Sequence, residues 1–99
     1  MDTVIKLIAE TITSDVIGNQ VVTEQEREVF ATAKPINQNE FFSARTAGIN
    51  PACKMLVFFG DYEGEELMEW NGQKYNIYRT YQREDDLIEL YAERHLGQN

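Results

Sequence analysis

Residues 66–82, ELMEWNGQKYNIYRTYQ, decide the fold class. At their centre stands Asn71-Gly72, the pair favoured by a two-residue type I′ hairpin turn, because both central positions need positive φ. Before it lies ELMEW, residues 66–70. After it lies QKYNIYRTYQ, residues 73–82, alternating Tyr75, Ile77 and Tyr81 against Tyr78 and Thr80. Aromatic and β-branched residues recurring with period two mark a half-buried strand. This stretch therefore predicts a β-hairpin, and the rest of the chain reads outward from it.

Downstream, beyond the REDD turn, LIELYAE at 87–93 places Leu87 and Tyr91 on one face and Ile88, Leu90 and Ala92 on the other. Upstream, ACKMLVFF at 52–59 is a nearly continuous apolar strand. Leu56 and Phe58 oppose Met55, Val57 and Phe59, so both faces need cover. A polar loop, GDYEGEE, joins it to the central hairpin. At the N-terminal end, TVIKLIAETI at 3–12 fits a helical stripe (Val4, Leu7, Ile8, Ile12) and also a strand face (Ile5, Leu7, Ala9). Its β-branched residues favour the strand. SDVIGNQ then offers turn chemistry. Residues 20–34 alternate Val21, Thr23, Val29, Ala31 and Ala33 against Glu24, Glu26 and Glu28. The polar centre of that segment, EQERE, implies a first hairpin that projects beyond the core.

Between the second and third strands lies PINQNEFFSARTAG, residues 35–48. Pro35 lacks the N–H a ladder would use. Asn37 with Glu40 three residues on makes a capping-box-like helix start, and Gly48 with Pro51 makes a stop. The predicted helix covers about residues 38–47, short enough that packing must hold it. Phe41 and Ala44 share a face that can seal the fold against strand 52–59, while Phe42 lies about 100° round beside Arg45 and Thr46. Two readings stay open: both phenylalanines plug an open end, or Phe41 plugs while Phe42 and Arg45 face a neighbour. Six strands in a short chain leave two edges unless the sheet closes. The expected fold is mainly β: a small antiparallel β-barrel of about six strands with one short helix between strands two and three. It forms a single domain over 1–99, with the helix-bearing connection at about 35–51.

The chain has 99 residues, 42% of them hydrophobic, and a net charge of −8, so it reads as one globular domain. No run approaches the ~18 apolar residues of a membrane span, and the acidic N-terminal stretch lacks signal-peptide character. A soluble protein made in the cytoplasm is expected. The single Cys53 excludes an internal disulfide and reads as a small buried hydrophobe, with a reactive thiol as the alternative. The nine bases are dispersed, which excludes a basic nucleic-acid footprint.

No catalytic constellation emerges. His95, the one histidine, reads as an exposed tail residue, and one His with one Cys cannot make a zinc site. The acidic runs at 61–66 and 84–86 fail the EF-hand spacing and read as solvated turns. What remains is interaction surface. The aromatic surplus points to contacts, first at the two-sided strand 52–59 and the run Tyr75, Tyr78, Tyr81. Phe42, Arg45, Phe58 and Tyr78 are the candidate assembly residues.

The order of these pieces resembles the head–tail joining proteins of tailed bacteriophages, also called head-closure or stopper proteins. The helix matches a Glu-aromatic-x-x-Ala pattern at Glu40, Phe41, Phe42 and Ala44. The hairpin matches at Glu69, Asn71, Gly72, Tyr75, Ile77, Arg79, Thr80 and Tyr81, and the close matches at Ile88, Glu89, Leu90 and Tyr91. The match runs over roughly residues 4–97. The resemblance implies a virion neck protein of a phage or prophage, made in the host bacterial cytoplasm, with a monomer in isolation allowed. It would form a homo-oligomeric ring below the portal-associated adaptor protein, close the head and dock the tail terminator or tail completion protein. It implies no enzymatic activity and no cofactor, with genomic DNA passing through the channel without specific binding. A second expectation, from the charge alone, is an acidic DNA mimic that inhibits a host nucleic-acid enzyme. Ten of the seventeen acids fall after residue 60, mostly in turns, which speaks against a continuous phosphate-like stripe.

Overall fold

The computed structural model describes residues 2–96; Met1 and residues 97–99 of the expected 1–99 domain lie outside it, as does the last residue of the family match. Asn71 and Gly72 both take positive φ, 53° and 80°, so the expected tight turn joins β4 (Leu67–Trp70) to β5 (Gln73–Gln82). β6 (Leu87–Arg94) follows through a turn in which Asp86 is left-handed. The first hairpin is β1 (Thr3–Ser14) and β2 (Gln20–Lys34). Asp15 folds its turn, its carboxylate accepting from the N–H groups of Ile17 and Asn19. Then come helix α1 (Gln38–Thr46) and β3 (Pro51–Phe58).

All six strands belong to one antiparallel sheet in the order β1-β2-β3-β6-β5-β4, and β4 pairs back with β1, so the circuit of ladders returns to its first strand. The strands' alternate residues build one core: Ile5 and Leu7 from β1, Val29 and Ala31 from β2, Met55 and Val57 from β3, Met68 from β4, Leu90 and Ala92 from β6. Each larger side chain of this set contributes about 1.5–3 kcal/mol by leaving water. Cys53 is buried among them, and burial pushes its thiol up to about 11, so it behaves as the small hydrophobe expected.

Two ladders are short. β1 pairs with β4 only over Lys6–Ile8, and β2 with β3 only over Ala31–Lys34. Residues 9–14 and 20–25 therefore pair with each other alone. They form a two-stranded arm that leaves the body, as the polar EQERE centre implied. The arm stretches the molecule to 49 × 30 × 24 Å and raises its radius of gyration to 14.8 Å, above the ~13 Å of a compact chain this long.

Two details of strand phase depart from the sequence expectation. β3 ends at Phe58, and Phe59 starts a 3₁₀ turn (Phe59–Asp61) instead of extending the Met55–Val57 face. In β5 the register slips between Ile77 and Arg79, a bulge at Tyr78. A bulge adds one residue to one strand and flips the faces beyond it. Tyr81 therefore sits opposite Glu89 and is exposed, not aligned with Tyr75 and Ile77, which pack on the core.

Candidate assembly surface

Helix α1 is fixed at both ends by its own sequence. The Asn37 side chain accepts from the Glu40 N–H at 2.8 Å, as the capping pattern anticipated. At the other end Gly48 is left-handed, its N–H donates to the Arg45 carbonyl, and the Ile49 N–H donates to Ala44. This is the Schellman arrangement that a glycine at C′ permits.

The face turned to the sheet is Glu40 and Ala44. Ala44 is the helix's buried residue. Glu40 accepts from the Tyr78 hydroxyl at 3.0 Å and pairs with the Arg79 guanidinium. The bulge makes this possible: neighbouring residues of a regular strand point to opposite faces, whereas Tyr78 and Arg79 both reach one carboxylate. Arg79 also lies over the Tyr91 ring at 4.7 Å, with Lys54 over the same ring at 5.3 Å. Tyr78 and Tyr91 pack with centroids 6.3 Å apart, and the Tyr91 hydroxyl donates to Glu89 at 2.5 Å. Burial, then the neighbouring carboxylates, push Tyr91 up to about 12 and Tyr78 higher still. Such tyrosines hold their protons and act as anchors. Tyr78 is thus a half-buried tether of the helix, its hydroxyl held by Glu40.

Because Glu40 and Ala44 point inward, Phe41, Phe42 and Arg45, some 100–200° round the helix, point out. Phe41 is 42% exposed and Phe42 61%, with their rings edge to face at 6.1 Å. Neither phenylalanine plugs the fold, so the expected sealing role of Phe41 does not hold. Arg45 is exposed and makes no ion pair among the described residues. Phe58, 50% exposed, lies in a second apolar area. On β1 and β2 Val4 faces Phe30, and Phe30 and Phe58 adjoin the last pair of the β2–β3 ladder, Ala31 with Val57. All three are exposed. Of the four candidates, Phe42 and Arg45 share the helix surface, Phe58 belongs to the sheet surface, and Tyr78 lies beneath the helix.

Sequence reasoning missed what the GDYEGEE loop does. Tyr62 packs on the core, and its hydroxyl donates to the Glu65 carbonyl at 2.7 Å. Glu65, 6% exposed, pairs with Arg27 of β2 at 2.5 Å, and Arg27 also donates to the Asp61 carbonyl. Burial works to raise the Glu65 carboxyl, but the hydrogen bonds from Arg27 and from backbone N–H groups outweigh it and hold it below the usual carboxylate range. The loop is therefore a clasp on the arm's root and not a solvated turn. The signal was a lone Arg at 27 on the otherwise apolar or neutral face of β2. His95 is likewise no free tail residue: its Nδ1 lies 2.8 Å from Asn76 Oδ1, and its N–H donates to the Lys74 carbonyl. Among the described residues no group of three or more His, Cys, Asp or Glu is placed to hold a metal, and no helix is long and apolar enough to cross a membrane.

The chain matches no protein-family model and no curated protein.

Proposed function

We propose that this chain is a structural neck protein of a tailed phage or prophage, a small barrel that assembles as a ring below the portal and its adaptor. In this role it closes the DNA-filled head, offers the docking surface for the tail terminator or completion protein, and performs no chemistry. The observation that carries the reading is the set of exposed apolar residues on two elements, the helix face with Phe42 and Arg45 and the sheet residues Val4, Phe30 and Phe58. Large exposed apolar areas mark contact sites, and a ring subunit that also meets an adaptor or a tail protein needs more than one of them. The ordered motif matches add the particular setting. A net charge of −8 suits a collar that DNA must traverse without adhering.

The DNA-mimic reading is less well supported. Glu24, Glu26, Glu40, Glu65 and Glu89 are engaged by cations of the same chain instead of forming a free phosphate-like row.

Mixing the protein with the portal–adaptor complex encoded beside it tests the proposal. Co-sedimentation and an added ring of density by electron microscopy are expected; absence of both discards it.

A further inference from the structure

The arm is the costliest feature of this small fold. An isolated two-stranded hairpin is marginal in water, yet residues 9–14 and 20–25 pair only with each other. The arm also exposes branched aliphatics: Ile12 opposite Val22 on one face, and Val16 and Ile17 at the tip. Between residues 9 and 26 there are four acids and no base; Glu24 and Glu26 pair with Lys74 and Lys6, while Glu10 and Asp15 make no ion pair among the described residues. The outward face of α1 is the complement, aromatic at Phe41 and Phe42 and cationic at Arg45. Within one molecule both surfaces stay uncovered, so the arm does not serve its own helix.

We propose that the arm of one molecule seats on the α1 face of a second copy of this chain, its aliphatic tip against Phe41 and Phe42 and Asp15 at that tip toward Arg45. The contact joins two different surfaces and repeats head to tail, which closes into a ring or runs on as a filament. The inference rests on the ring-forming part of the proposed function and names the surfaces that form the ring.

Disulfide trapping in the full chain tests it. Val16, Phe42 and Phe58 are exposed, so V16C, F42C and F58C leave the core intact. Native Cys53 is buried and stays silent. Under mild oxidation a mixture of V16C and F42C is expected to give linked heterodimer at about tenfold or more the yield of V16C with F58C, since a seated contact raises the local thiol concentration. Equal yields overturn the arm contact. The V16C/F42C double variant then separates the two ideas under the electron microscope. Covalent circles support both. Open filaments keep the arm contact and discard the ring. Rings of the unmodified protein, with equal trapping yields, keep the ring and discard the arm contact.

Discussion

Glu40 sets the orientation of the helix. It accepts from Tyr78, pairs with Arg79, and carries the N–H that Asn37 caps. With that carboxylate fixed inward, helical geometry alone puts Phe41 and Phe42 outside. Replacing Glu40 by Ala leaves a half-buried tyrosine hydroxyl and a guanidinium to water, and is expected to cost about 1–2 kcal/mol. Phe42→Ala is expected to change stability by less than about 0.5 kcal/mol. Urea midpoints check both; a loss of about 3–5 kcal/mol for Phe42→Ala, as for a core phenylalanine, would refute the outward orientation. The cap and stop of this helix were legible because each depends on residues a few positions apart. Its rotation was not, because Glu40's partners lie in β5 and meet it only through a bulge that residue pattern does not announce.

At the scale of elements, the arm and the loop clasp define the body's boundary. Arg27 sits where the arm leaves the core, and Glu65 with the Asp61 carbonyl holds it there. Outward of that point each arm strand has one neighbour; inward, Lys6–Ile8 of β1 and Ala31 of β2 are paired on both sides. Amide hydrogen exchange is expected to show the difference: rapid exchange over residues 9–14 and 20–26, and slow exchange at Met55, Val57 and Leu90, whose opening requires global unfolding. Uniform protection along β1 and β2 would contradict an arm that stands free. The strands themselves were readable from alternation, and their turns from Asn71-Gly72 and Asp15. The clasp was not, because its acidic loop looks like any solvated turn until Arg27 is brought against it from the opposite half of the sheet.

For the whole molecule, half-buried Tyr78 and buried Tyr91 bear on stability at alkaline pH. Unfolded, Tyr78 and Tyr91 ionise near their ordinary value of about 10; folded, burial and nearby carboxylates hold Tyr91 up to about 12 and Tyr78 above it. Both are fully protonated in either state below that ordinary value, and their contribution is then complete. Above it the unfolded chain releases protons that the folded chain keeps, so stability falls as pH rises from about 10 toward 12. Urea midpoints measured across that range are expected to decline, with a shallower slope in Tyr78→Phe and Tyr91→Phe; an unchanged slope in both variants would remove the tyrosines as the cause. The strand circuit has a kinetic side as well. Its shortest internal join, Lys6–Ile8 with Leu67–Glu69, links the first strand to the second half of the chain, whereas β1–β2 and β4–β5 are local hairpins. Non-local pairings pay loop-closure entropy before they are rewarded, so the two hairpins should form early and this seam last. Conservative substitutions at Met68 are then expected to speed unfolding while leaving the refolding rate nearly unchanged. Within the strand circuit of the body, the same three-residue seam is then expected to open first on global unfolding.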